Sequence, residues 1–275
     1  MSLASRLPYD HPFAGGFSGI GSQPLPTDSD CLTYLAAVAA ADGAGVETGV
    51  AVAVDAFIKG LKADSLWDAI GSSCLLCGPR TLSGALVPLR GDAPTAEGGW
   101  ASGDYDRSTG MKGNGTSLYL NTGVNNASFT QDYFHMACYV TAAGTAGGTL
   151  WLAGAGGNQT GASELFTAGG NYQFRNQNFD NATLGAAADT KTGLIASSRQ
   201  VPGQFDVRAD DVSGFTSRAS ESPYSGIIHI FGSSFFAPTV GYDGSIAYYS
   251  LGSQIDMAKL RTHLDAYVTA IGAAI

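Results

Sequence analysis

The chain predicts a mainly β protein: an antiparallel sandwich preceded by a small helical module and followed by one helix. Three observations carry that prediction. Charged residues make up only 13% of the 275 residues while 38 are glycine, against about 25% charged in ordinary globular chains, so the surface is built from Ser, Thr, Asn and Gly between many tight turns. From about Leu118 onward apolar residues recur with a period of two, the spacing that places them on one face of a strand. Around residues 46–61 and 260–271 the period is instead that of a helix.

Residues 1–29 combine Pro8, Pro12, Pro24 and Pro26 with Gly15, Gly16, Gly19 and Gly21 and the rings of Tyr9, Phe13 and Phe17. Proline removes donors and glycine raises the entropy of the unfolded chain, so such a segment does not pack on itself. It reads as an extended arm, either untied or docking its rings on a neighbouring subunit. Residues 30–88 read as a helical anchoring module. Asp28, Ser29 and Asp30 offer N-caps for a helix carrying Leu32, Leu35 and Ala39, and Asp42-Gly43 ends it. Val46, Val50, Val54, Phe57, Ile58 and Leu61 form one stripe on a second helix that stops at Gly60. Ser65-x-x-Asp68 resembles a capping box that opens a third short helix presenting Leu66, Trp67 and Ile70. The stripe is large for helices this short, so another copy of the chain is expected to cover part of it, making Val46, Val50, Val54, Phe57, Ile58 and Leu61 an oligomer and anchor surface.

Residues 89–275 read as the sandwich. Phe134, Met136, Cys138 and Val140 alternate with His135, Ala137, Tyr139 and Thr141, and further short strands are expected at 150–152, 172–174, 205–207, 227–231 and 246–251. Glycine clusters at 143–148 and 153–158 mark turns between them. Ser253-x-x-Asp256 then caps a helix whose Leu260, Leu264, Tyr267, Val268 and Ile271 form a stripe, with Gly272 as terminator.

Composition also excludes partners. A net charge of −9 with only 14 Lys and Arg, and no basic run, has the wrong sign for a phosphate backbone, so nucleic acid is not an expected partner. The apolar run at 50–54 stops at Asp55, far short of the roughly 20 residues that span a bilayer. No secretory n-region and h-region opens the chain. The expectation is a soluble protein made in a cytoplasm, with its four cysteines too few to staple a scaffold of this length.

The segments Ser117-Leu-Tyr-Leu120, Phe134-His-Met-Ala-Cys-Tyr-Val140 and Gly244-Ser-Ile-Ala-Tyr-Tyr-Ser-Leu-Gly252, the last running into a capped helix, resemble the laminin-G-like, concanavalin A-type jelly roll. With the upstream helices and Thr81-Leu-Ser-Gly-Ala-Leu-Val-Pro-Leu89, the chain is similar to fibre, spike and tail components of tailed phages and prophages. The resemblance implies a non-enzymatic virion protein assembled in the bacterial host cytoplasm. Its N-terminal module would attach to other virion proteins and its lectin-like sandwich would face host surface polysaccharide. Copies would form a homotrimer, or a pentamer at a capsid vertex. No catalytic residue carries over.

The chemistry-bearing residues agree with that expectation. Glycosidases need two carboxylates flanking the scissile bond, and the Glu-x-Asp-x-x-Glu of laminarinase-type relatives is absent, since the glutamates Glu47, Glu97, Glu164 and Glu221 stand far apart. A capsule-degrading glycosidase with a carboxylate pair assembled across subunits is the alternative. Asp206, Asp210 and Asp211 read as a solvated strand end, and His135 and His229 as strand histidines rather than ligands. Cys74-x-x-Cys77 lacks the two further ligands of a zinc site and reads as buried thiols at a helix end. No cofactor is assigned. Asn176-x-Asn178-x-Asp180 has the oxygen spacing of the first half of a calcium loop without its later Gly and Glu, and the resemblance allows one structural calcium at the sandwich rim. The expected ligand site is a loop tip made of Tyr172, Arg175, Asn176, Asn178, Phe179 and Asp180, with Gln177 and Tyr224 beside it, because sugars stack on rings and bond amides and guanidinium groups.

Overall fold

The computed structural model describes residues 25–145, 148–236 and 241–275; most of the expected arm, residues 1–24, lies outside the described residues. Helix α1 (Ser29–Asp42) starts at Asp28, whose side chain accepts the amides of Asp30 and Cys31, and ends at Gly43, where φ of 73° needs the missing Cβ. Helix α2 (Thr48–Ala63) carries the apolar stripe. After a single 3-10 turn come β1 (Ile70–Leu75), the one-turn α3 (Leu82–Ala85), β2 (Pro88–Arg90), β3 (Thr95–Glu97), β4 (Tyr105–Asp106), β5 (Gly110–Lys112) and β6 (Tyr119–Asn125). The long strand β7 (Phe134–Ala142) leads to a meander of β8 (Leu150–Ala155), β9 (Ser163–Ala168), β10 (Asn171–Arg175) and β11 (Ala182–Ala187). A second meander follows in β12 (Gly193–Val201), β13 (Gln204–Ala209) and β14 (Val212–Thr216), then β15 (Ile227–Ile230), β16 (Ser245–Gly252) and helix α4 (Met257–Ala274).

These strands form the antiparallel jelly-roll sandwich that the sequence predicts. One sheet runs β14-β13-β12-β7-β16-β1-β2 with the β4-β5 hairpin attached through β16, and the other runs β11-β10-β9-β8-β15-β6-β3. Between them lies a core of Phe134, Met136, Cys138, Leu165, Phe174, Ile195, Val207, Ile230 and Tyr249 among others. The first sheet is covered on its other face as well. Ala137, Leu194, Ala196, Ala247 and Tyr248 point outward into a second core with the helices, which explains why β7, β12 and β16 are buried on both faces over most of their length. Among the described residues no helix is long and apolar enough to cross a membrane.

Five expectations are corrected here. The segment after Asp68 does not continue as a third helix. It makes only the 3-10 turn Trp67–Ala69 and then enters β1, which pairs with β16 and β2 inside the first sheet. Cys74 and Cys77 therefore lie on and after a strand, not at a helix end, and both are fully buried thiols. The boundary expected near residue 88 separates nothing, because β1 is a sandwich strand and the helices share one core with the sheet. Finally, Val50, Val54, Phe57, Ile58 and Leu61 need no second copy to cover them. They are buried against α4 and the first sheet of the same chain, with Val46 half-buried at the margin. Close approach is made possible by glycine: a Cβ on Gly60 would lie 2.5 Å from the His263 ring of α4. The helix itself continues past Gly60 to Ala63.

Candidate functional site

The expected ligand tip at residues 172–180 is not a free tip. Tyr172 and Phe174 are fully buried between the sheets, and the Tyr172 hydroxyl donates to the Lys191 carbonyl at 2.9 Å. Arg175 is buried in an ion pair with Glu164 at 2.7 Å, donates to the Gly157 carbonyl and to Asn158 Oδ1, and lies over the Phe166 ring. Asn176 donates through Nδ2 to the Phe134 carbonyl and Ser197 Oγ, while its own carbonyl accepts from Arg199 Nε. Gln177 bonds the backbone of Thr130 and Asp132. Asn178 Oδ1 accepts the Asn176 amide at 2.8 Å and its Nδ2 donates to the Asp180 carbonyl at 2.5 Å. This is a buried polar network that fastens the end of the sandwich: Tyr172, Arg175, Asn176, Gln177 and Asn178 are buried and bonded within the chain, Arg175 Nε and Asn176 Oδ1 are buried without a partner, and only Phe179 and Asp180 are exposed. Of the two side-chain oxygens spaced like calcium ligands, Asn178 Oδ1 is taken by the Asn176 amide and Asn176 Oδ1 is buried inside the network. Tyr224 packs against the inter-sheet core.

A different surface does present unsatisfied groups. On β13, Phe205, Val207 and Ala209 face the inter-sheet core, so Asp206 and Arg208 face outward. On β14, Val212 opposes Ala209 and Phe215 opposes Asp206, which puts Ser213 and Phe215 on that same outward face. Helix α4 covers β12 and stops short of β13 and β14, and the space beyond its first turn is an open groove of about 450 Å³. The size falls in the range of ordinary ligand clefts. Gln200, Asp206, Arg208, Ser213 and Phe215 line one side, and Gln254, Asp256 and Met257 the other.

The far wall is held rigidly. Ser198 Oγ donates to the Ile255 carbonyl and accepts the Ile255 amide, both at 3.0 Å. His135 Nδ1 donates to the Ser253 carbonyl at 2.5 Å while Ser250 Oγ lies 3.0 Å from Nε2. Burial pulls that imidazole down to about 4, so the ring stays neutral and acts as a strut. Asp256 Oδ1 accepts the amides of Ala258 and Lys259 and so caps α4.

The groove's own side chains contrast with the buried network. Phe215 is 68% exposed, and among the described residues the side chains of Gln200, Asp206, Ser213 and Gln254 have no protein partner. Of the three acids read together in the sequence, Asp210 is paired with Arg261 at 2.8 Å and Asp211 with Lys191, while Asp206 stands alone. Partial burial holds its carboxyl above the usual carboxylate range. A flat ring, a free carboxylate on the adjacent strand position, two free amides and a hydroxyl can together grip a sugar: the ring takes a C–H face and the polar groups take hydroxyls. The signal for Phe215 was present in the sequence. Once Phe205, Val207 and Ala209 are set inward, the ring of the next strand falls on the polar phase of the alternation.

No protein family and no curated protein matches the sequence. Solved structures do match in part. The Ruminococcus gnavus IT-sialidase CBM40 shares 15% identity at a TM-score of 0.36, over 50% of this chain and 83% of that one. A mutant of Trypanosoma rangeli sialidase displaying trans-sialidase activity shares 13% at 0.47, over 78% of this chain and 39% of that one. The HCR/D W1238A mutant shares 9% at 0.43, over 75% and 53%. The chain thus spans well under two thirds of the length of the last two. Likeness at this level is one of strand architecture, and no residue role passes from those proteins to this one.

Proposed function

We propose that this chain is a non-enzymatic carbohydrate-binding component of a tailed-phage or prophage virion, and that its glycan site is the groove between β13, β14 and the start of α4. The observation that carries the glycan reading is the pairing of the exposed Phe215 ring with the unpartnered Asp206 carboxylate directly across the strand pair. Folding alone gives little reason to leave a half-buried carboxylate without a partner beside an exposed ring. The virion assignment is supported by the low-charge, glycine-rich composition and by the resemblance of the helix-then-sandwich order to fibre, spike and tail components. In such a particle, weak binding per copy is multiplied by copy number, three copies being our favoured assembly and five the alternative at a vertex. Hydrolysis is disfavoured by Asp256, the second carboxylate of the groove, because its Oδ1 is already occupied in capping α4.

The test is equilibrium binding of the purified chain to polysaccharide from host surfaces. Phe215→Ala is expected to weaken binding by roughly tenfold, the scale of one lost stacking contact, while the melting temperature stays near that of the wild type because the ring is exposed. Equal binding by the variant would remove the groove from the reading, and release of reducing ends would reassign the protein as a glycosidase.

A further inference from the structure

We infer that the groove selects neutral, hydroxyl-rich glycans and discriminates against sialylated or uronate-bearing ones, an inference that rests on the carbohydrate reading above. The charge around the groove decides it. Its lining carries two carboxylates, Asp206 and Asp256, against the single guanidinium of Arg208. That guanidinium is turned along its own strand, with Nη1 donating to the Asp210 carbonyl at 2.7 Å and Nε buried. Arg218, exposed just beyond β14, is not among the lining residues, and three further cations nearby are engaged elsewhere. Lys259 reaches Asp64 at 3.2 Å, Arg261 holds Asp210 and Asp265, and Arg199 is fully buried, its Nη1 donating to the carbonyls of Val201, Pro202, Gln204 and Arg218.

Recognition of a sugar carboxylate calls for a free, planar guanidinium fork or a free ammonium. The groove offers the opposite, a free carboxylate. The chemical complement of a free carboxylate is a donor, and a pair of vicinal hydroxyls can donate one hydrogen bond to each of its oxygens, bonds that are short and strong because the acceptor is charged. Gln200 and Gln254 each supply a donor and an acceptor, which suits further hydroxyls or an acetamido group. Phe215 then takes the apolar face of the same ring. An acidic sugar in this position would set its carboxylate beside Asp206 and Asp256 with only the Arg208 guanidinium, held by the Asp210 carbonyl, to balance the three.

Titration of the full chain with matched neutral and acidic oligosaccharides tests this: gluco-, galacto- and manno-configured hexose oligomers, and lactose, against their hexuronate and sialyllactose counterparts. Neutral members are expected to bind at least about tenfold more tightly than the acidic ones at low salt, the scale of one partly screened like charge. Asp206→Asn should weaken neutral binding by about tenfold and shrink the gap between the two series. Acidic glycans bound as tightly as neutral ones, through a contact that Phe215→Ala abolishes, would overturn the charge inference and leave the carbohydrate reading standing. Binding of none of the panel would overturn the carbohydrate reading itself, and binding indifferent to Phe215→Ala would remove the groove, and the charge inference with it, from that reading.

Discussion

Asp206 is the residue at which stability and binding separate. Its carboxyl has a raised folded pKa through burial, so the folded state holds its proton more tightly than the unfolded chain and stability falls as pH rises through the interval between the two values. At pH 7 the charged, partly desolvated group works against folding. Asp206→Asn is therefore expected to raise the melting temperature slightly at pH 7 while losing glycan binding, the pattern of a residue kept for a ligand at a cost to the fold. A melting temperature that drops would show a structural role. The comparison with Arg175, Asn176 and Asn178 shows what the sequence made legible. Residue type identifies groups able to hold a ligand, but whether they are free depends on what the fold brings to them. Glu164 lies 11 residues from Arg175 and Phe134 lies 42 from Asn176, and neither partner is deducible from local spacing. Density of polar groups therefore pointed to the network, and the isolated Asp206 looked like a strand end.

Helix α2 was the clearest element in the sequence, and its residues are buried as an amphipathic stripe should be. What the stripe packs against was not legible, since period reveals that a face is covered and says nothing of by what. Phe57 meets Tyr248 of β16 edge-on at 5.8 Å and Tyr267 of α4 at 5.2 Å, both within this chain. Phe57→Ala should accordingly destabilise the monomer fold by about 3–5 kcal/mol, read from the denaturant midpoint, with no change in oligomeric mass in the soluble fraction. Loss of oligomers at unchanged unfolding free energy would restore the stripe as a contact between copies. The error over β1 has a related cause. Ile70, Ser72 to Leu76 and Cys77 are buried on both faces, so the period-two signal that marks later strands is absent, and a short apolar run beside helices reads as helix.

At the scale of the whole molecule the first sheet is a middle layer, packed by strands on one side and helices on the other, and this places ionisable groups out of water. His135 is fully buried and His229 nearly so, and burial lowers both to about 4. The unfolded chain takes up these protons near pH 6.5 and the folded chain near 4, so each histidine withdraws stability as pH falls across that window. The wild type should lose more stability between pH 6.5 and 4.5 than His135→Asn, whose amide can still donate to the Ser253 carbonyl; parallel pH profiles would contradict a neutral buried imidazole. The same layering has a consequence for how the chain is made. Asp64 at the end of α2 meets His263 of α4 across 199 residues of sequence, and β1 waits for β16 to become its neighbour. At about 5–20 residues per second, the ribosome leaves the apolar face of α2 without its cover for roughly 10 s or more. Nascent chains of this protein thus pass through a stage in which Val54, Phe57, Ile58 and Leu61 are open to other chains, and the interval before α4 emerges is when a holdase would be needed and when crowded synthesis would divert the product into aggregates.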